Sequence, residues 1–313
     1  MCQVNLFALP TKSMLSMEEV ARFSCESAIS YLERGFKLMP DTNLRAALAA
    51  AMRDRRPYDA DRLDRRDPAL IAALLPVLER IAHGYLRLRV EGIEHLQQEK
   101  ALFVANHNGG IMGPDLFCTM SLLWRELGPK TPLYALAHDF AMRQMPPLGR
   151  LLQRLGAISA RQDNARRALA EGGRVLVYPG GDLDAYRSFR RQHEVVFGQR
   201  TGFVRLAIQE QVPIVPIVAH GAHRSAIIFH EGEWLARALG LGRWGRLQRF
   251  PLALALPWGV SVGPWNPYLP LPFPVRLRIL APMSFDPMTS PEVARDAVVT
   301  AMQDALTDMA RRP

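Results

Sequence analysis

An α/β sandwich around a mostly parallel central sheet is the fold class this sequence predicts, and three observations predict it. Short apolar runs of strand length recur along the chain, and helical patterns separate several of them. The 313 residues, 49% hydrophobic and 22% charged, also have the balance of a folded globular protein. Runs that are apolar throughout suit strands covered on both faces, and the helices between them supply the crossovers a parallel sheet requires.

The elements follow in order. Residues 1–67 read as a helical N-terminal segment ending in an exposed arginine-rich connector, MRDRRPYDADRLDRRDP, and 68–313 as the main domain. From Pro68 to His83 the residues Leu70, Ile71, Leu74, Leu75, Leu78 and Ile81 recur at spacings of three and four, the period of an amphipathic helix. Strands are then expected at YLRLRV (85–90), ALFVAN (101–106), LYALA (133–137), VLVYP (175–179), PIVPIVA (213–219) and VRLRIL (275–280). The run 201–211 (TGFVRLAIQEQ) reads as a helix feeding the strand at 213. In the last element Ser290 is placed to cap and Pro291 to occupy the first turn, and Val298, Met302, Leu306 and Met309 form one stripe, so a C-terminal amphipathic helix is expected.

Composition narrows the function. Cys2, Cys25 and Cys118 are too few and too scattered for a disulfide framework or a four-cysteine zinc site, which points to a reducing, cytoplasmic setting. The net charge of +9 favours anionic partners, and a negatively charged membrane surface is expected among them. Nucleic acid is not expected: the arginines are dispersed, no zinc-finger spacing or RNA-binding aromatic box accompanies them, and coding bias accounts for their number. The N-terminus lacks the basic start and apolar core of a signal peptide. Phe250–Val275 carries no charged residue, but its seven prolines rule out a membrane-spanning helix. With Trp258, Trp265, Tyr268 and Phe273 between arginine-rich flanks, that segment is either a stretch resting among lipid headgroups or an apolar loop over the core.

The chemistry-bearing segment is ALFVANHNGGIMGPDLF. It places His107 just after a buried strand, in a glycine-rich loop opening a helix near Asp115, where open α/β sheets put their sites. Gly109, Gly110 and Gly113 permit close backbone approach, and the loop and helix start can direct N–H groups at developing negative charge. His107 is then either a general base whose tautomer Asp115 fixes, or a histidine satisfied by backbone in an ordinary turn. Chain-wide, no G-x-S-x-G nucleophile elbow is present, so a seryl intermediate is not expected. His220, His223 and His230 lack a metal-binding helix pattern and read as ordinary polar residues. Gly240, Gly242 and Gly245 follow a helical pattern instead of a strand, which argues against a dinucleotide site.

The Asn106-His107 pair resembles the histidine box of the glycerolipid and lysophospholipid acyltransferase superfamily, in which His is followed after four residues by Asp. Met112 stands at that position here. The spacing His107, seven residues, Asp115 is similar to the monoacylglycerol and diacylglycerol acyltransferase branch. Three further blocks keep the family order: GAISAR (156–161), YPGGDLD (178–184) and VPIVPI (212–217). The resemblance implies acyl transfer from acyl-CoA or acyl carrier protein to a glycerolipid or other lipid hydroxyl, at a peripheral membrane location, with His107 and Asp115 catalytic and with no metal or cofactor beyond the co-substrate. It places Gly109, Gly110, Gly180, Gly181, Asp182 and Arg161 in substrate binding, with Arg161 as phosphate ligand. Gly180 stands where the phospholipid branch has Glu. Arg161 is thus left to an acceptor phosphate, to the coenzyme A phosphates, or to pairing with Asp182 or Asp184.

Overall fold

A computed structural model describes residues 58–108, 113–144, 146–241, 248–255, 259–263 and 272–312. The expected helices of residues 1–57, together with Gly109, Gly110, Trp258, Trp265 and Tyr268, lie outside the described residues. The described chain runs α1 (Pro68–Glu79), β1 (Arg89–Glu91), β2 (Leu102–Ala105), α2 (Pro114–Leu127), β3 (Leu133–Ala137), α3 (Pro146–Arg154), β4 (Ala157–Ser159), α4 (Gln162–Ala170), β5 (Arg174–Val177), α5 (Gly181–Ala185), α6 (Gly202–Glu210), β6 (Ile214–His220), β7 (Ile227–His230), α7 (Glu233–Ala238), β8 (Leu252–Ala255), β9 (Gly259–Val262), β10 (Arg276–Ile279) and α8 (Pro291–Arg311).

The main sheet has the order β1-β10-β6-β2-β5-β3-β4. Strands β6, β2, β5, β3 and β4 are mutually parallel. Strand β10 runs antiparallel to β6 and parallel to β1. Because β2 sits at the centre, all four of its residues are buried, and successive side chains enter opposite layers. Leu102 and Val104 join Phe203 and Leu206 of α6 and Val298, Met302 and Leu306 of α8. Phe103 and Ala105 join Ile71 of α1 and Cys118, Leu123 and Trp124 of α2. The expected sandwich is therefore present, with helices on both faces.

Local expectations fare unevenly. In α8 the stripe Val298, Met302, Leu306 and Met309 is buried, and the Ser290 hydroxyl accepts from the Val293 N–H at 3.3 Å, the N-cap interaction expected of it. The strand expected over 85–90 is corrected. Helical backbone continues beyond α1 through a wide turn to Tyr85, and the Leu86 and Leu88 N–H groups donate to Ile81 and Ala82. Those donors are lost to a sheet ladder, so pairing begins at Arg89, whose N–H reaches Val275 O at 3.0 Å.

The end of the expected connector is also more than an exposed link. Ala60 and Leu63 are buried, Arg66 donates to Pro129 O, and Asp67 caps α1 through the N–H groups of Ala69 and Leu70. Residues 252–255 and 259–262, expected as loop or headgroup-resting chain, form the strands β8 and β9, which join β7 in a separate antiparallel sheet.

Candidate active site

Strand β2 delivers Asn106, His107 and Asn108 at the carboxyl edge of the parallel sheet. The Asn106 side chain brackets Ala219 on β6, donating to its C=O at 3.2 Å and accepting from its N–H at 2.8 Å. Asn108 adds a second donor to the same carbonyl at 2.8 Å. Between them His107 is 5% exposed, and its Nδ1 lies 3.1 Å from Oδ2 of the fully buried Asp115. Pro114 and Asp115 open α2, so the carboxylate sits at the helix end that favours negative charge. The same Oδ2 accepts the Asn108 N–H at 3.1 Å. A carboxylate facing Nδ1 selects the tautomer protonated there and leaves the lone pair on Nε2.

Tyr178, just past β5, stacks on the imidazole with centroids 4.0 Å apart and planes at 17°. Burial, followed by the nearby Asp115 carboxylate, pushes its phenol well above the ordinary range, so it stays protonated. Cys118, one turn beyond Asp115, is pushed up to about 12 by burial and the same carboxylate, which leaves a neutral thiol unsuited to nucleophilic attack.

The histidine backbone is fixed from α5. The His107 N–H donates to Asp184 Oδ2 at 2.5 Å, and its C=O accepts from Arg187 Nη1 at 2.6 Å. Arg187 also pairs with Asp184 Oδ1 at 2.6 Å, and neither side chain is more than 1% exposed. Val196 N–H completes the set on Asp184 at 3.0 Å. Burial raises the Asp184 carboxyl above its usual range, with Arg187 pulling the other way. Arg187, just past the end of α5, was missed in the sequence; the available signal was its spacing of three residues from the opposite charge of Asp184.

The remaining expected site residues divide. Asp182 is directed away from His107: its carboxylate takes the Gln248 N–H at 2.6 Å and Arg200 at 3.4 Å. Gly180 is required sterically, since a Cβ there would meet Asp184 Cβ at 2.3 Å and Val196 O at 2.5 Å. Gly181 has φ +50° with the Arg200 guanidinium alongside, and Arg200 also donates to Pro179 O at 2.8 Å. Arg161 is exposed at the end of β4, three strands from β2 and thus about 14 Å away along the carboxyl edge. Its alternative pairing with Asp182 or Asp184 does not occur, because Arg200 and Arg187 hold those positions.

The downstream histidines have ordinary polar roles in two cases. His230 Nδ1 accepts the Gly232 N–H at 2.8 Å, and His220 stacks on His193 and faces an Arg276 donor at 3.2 Å. His223 differs. It is 1% exposed, neither ring nitrogen has a partner among the described residues, and burial together with the Arg187 charge holds it far below 6.5, hence neutral.

Known proteins resemble this chain in sequence and in fold. The sequence profile of the acyltransferase family matches residues 87–220, the span that holds His107, Asp115, Tyr178, Asp184 and Arg187. An uncharacterized protein of Mycobacterium tuberculosis is 29% identical over 212 residues, covering 66% of this chain and 58% of that protein. Human diacylglycerol O-acyltransferase 2 is 27% identical over 175 residues, covering 53% of this chain and 42% of the enzyme. The chain thus spans less than two thirds of the length of these relatives. The solved 1-acyl-sn-glycerophosphate acyltransferase of Thermotoga maritima superposes with a TM-score of 0.51 at 16% identity, covering 94% of this chain and 98% of the other. That likeness is one of fold.

Proposed function

Because the acyltransferase family profile matches residues 87–220 and the chain resembles diacylglycerol O-acyltransferase 2 in sequence, we propose that it is a member of the glycerolipid acyltransferase superfamily that moves a fatty acyl group from a thioester, acyl-CoA or acyl carrier protein, to the hydroxyl of a glycerolipid or other lipid alcohol. The observation that carries this reading is the buried 3.1 Å contact between His107 Nδ1 and Asp115 at the carboxyl edge of the sheet. With seven intervening residues the carboxylate comes from the first turn of the following helix, which supports Asp115 as the partner where Met112 stands at the usual Asp position.

The chemistry needs no covalent enzyme intermediate. The acceptor oxygen attacks the thioester carbonyl carbon while His107 Nε2 takes the hydroxyl proton, a step to which general-base catalysis typically contributes about 10²- to 10⁴-fold. Asp115 stabilises the imidazolium so formed, and the sequence offers the glycine-rich stretch with Gly109 and Gly110 as the source of donors for the oxyanion. Collapse breaks the C–S bond, and the thiolate leaves as the thiol with the proton returned by His107. No bound metal or cofactor enters any step.

Acceptor choice follows from which cations are already occupied. Arg187 and Arg200 are both bonded to carboxylates, and the Glu of the phospholipid branch is replaced by Gly180, whose side-chain space Asp184 fills. These features favour an acceptor without phosphate at the His107 end, with the exposed Arg161 serving a phosphate of coenzyme A. The protein works at a membrane surface from the cytoplasmic side. Among the described residues no helix is long and apolar enough to cross a bilayer.

The test measures free CoA released from labelled acyl-CoA with lysophosphatidate, monoacylglycerol, diacylglycerol or a long-chain alcohol supplied in turn. Release should require an acceptor, and His107→Ala and Asp115→Asn should each lower it by about 10²-fold or more with the fold intact. Undiminished transfer by His107→Ala would remove the mechanism, and donor loss without acceptor would make the protein a thioester hydrolase instead.

A further inference from the structure

The antiparallel sheet turns an apolar face outward. Directly opposed residues in such a sheet share a face, so the pairs Leu252 with Val262 and Leu254 with Val260 put four aliphatic side chains on one side. Ile227, opposite Leu254, joins them. The other side packs inward: Ile228 and Ala253, each 2% exposed, bury against Ala185 and Tyr186. On the outer face Val260 is 70% exposed, Val262 56% and Leu252 40%. A sheet with one solvated face ordinarily alternates apolar inside with polar outside; here the outer positions are aliphatic. Phe229 of β7 and Trp234 of α7 are exposed as well, to 60% and 61%. An apolar surface so concentrated marks a contact site.

Charge selects the occupant. From Gly221 to Val275 the chain holds five arginines, at 224, 237, 243, 246 and 249, and only two acidic residues, Glu231 and Glu233. Arg249 is paired with both acids, and Arg224 and Arg237 are exposed. Trp258, Trp265 and Tyr268 follow in the sequence. Aliphatic side chains to enter acyl chains, aromatic rings for the headgroup level and guanidinium groups for phosphate are the chemistry of an anionic lipid surface. A second copy of this chain would bring the same arginines against themselves.

Position adds a reason. The inner side of the sheet rests on α5 and the tyrosine that follows it, and Asp184 of α5 binds the His107 N–H. One layer of structure therefore separates the outward apolar face from the imidazole.

We propose that the outer face of β7, β8 and β9 is a docking surface for an anionic bilayer. This deepens the acyl-transfer reading, on which the choice of a lipid partner partly rests, by naming the element that brings the protein to its acceptor. The full chain is sedimented with vesicles of phosphatidylcholine and phosphatidylglycerol at about three to one, without acyl donor. Wild-type protein should pellet with them, less so as salt rises. V260E combined with V262E should reduce the bound fraction at equal lipid by about tenfold or more, with unchanged circular dichroism and unchanged transfer to a short-chain soluble acceptor. F229S with W234S, altering exposed side chains of β7 and α7, gives the same readout should the valine pair fail to fold. Wild-type protein left in the supernatant, or variants that pellet equally well, overturn the proposal. So does a wild-type dimer that V260E/V262E dissociates, since the occupant would then be a second copy. Vesicle binding that shifts as expected with no acyl transfer by any variant would uphold the surface while removing the enzymatic reading.

Discussion

Both main-chain polar groups of His107 are held by side chains 77 and 80 residues away, so the ring stands on a backbone that a distant helix keeps in place. That grip is a fully buried ion pair, whose value lies in both partners being present. Arg187→Met removes the cation, leaves Asp184 charged in an apolar surround and frees the His107 carbonyl, and should destabilise the fold by about 3–5 kcal/mol in urea titrations. The double variant with Asp184→Asn should cost less than the two single losses added together, because no isolated charge remains. His107 and Asp115 were legible in the sequence, because a histidine after a buried strand and a carboxylate in the next helix turn are local features. Arg187 was not. Its partners, His107 O and Asp184, become neighbours only when β2 and α5 meet.

At the scale of elements, the third motif block shows how a glycine is fixed by packing. The strand β5 ends in a tight entry to α5, and the space beyond Gly180 Cα is filled by Asp184 and by the Val196 carbonyl. Gly180→Ala must push the Asp184 carboxylate off the His107 N–H. Overpacking of this kind typically costs about 1–3 kcal/mol, so the variant should melt earlier and also turn over more slowly, and a melting curve paired with kcat checks both. In the family resemblance Gly180 reads as a substrate contact; in the fold it is the clearance that lets Asp184 reach the histidine. The C-terminal helix was readable to its cap, because an amphipathic stripe and an N-cap serine are written locally. Strand β1 was shortened for the opposite reason: the alternation of YLRLRV permits a strand, but its first N–H groups are taken by the preceding helical turn.

For the whole molecule, buried histidines set a pH window. Burial and then Arg276 lower His220 to about 4, and burial and then Arg187 hold His223 well below 6.5. Once unfolded, both rings take a proton near 6.5, so between that pH and about 4 the unfolded chain binds more protons than the folded one. Stability should be steady above pH 6.5 and fall as pH drops toward 4, by about 3 kcal/mol from His220 alone at about 1.4 kcal/mol per pH unit. Urea midpoints at pH 7.5 and 4.5 read the loss, and His220→Asn should flatten it. A midpoint that rises on acidification would contradict the assignment of neutral rings.

By itself the sequence determined the α/β class, most of the central strands, the terminal helix and the histidine with its carboxylate. Each of these rests on a period or a spacing within about a dozen residues, which hydrophobic burial and helix-end electrostatics read directly. Tertiary structure alone decided that β10 runs antiparallel to β6, that Asp184 and not Asp182 reaches the histidine, and that an uncharged, proline-rich stretch contributes two strands with an outward apolar face. Those outcomes depend on which distant surfaces compete for the same buried space, and a linear spacing carries no record of that competition.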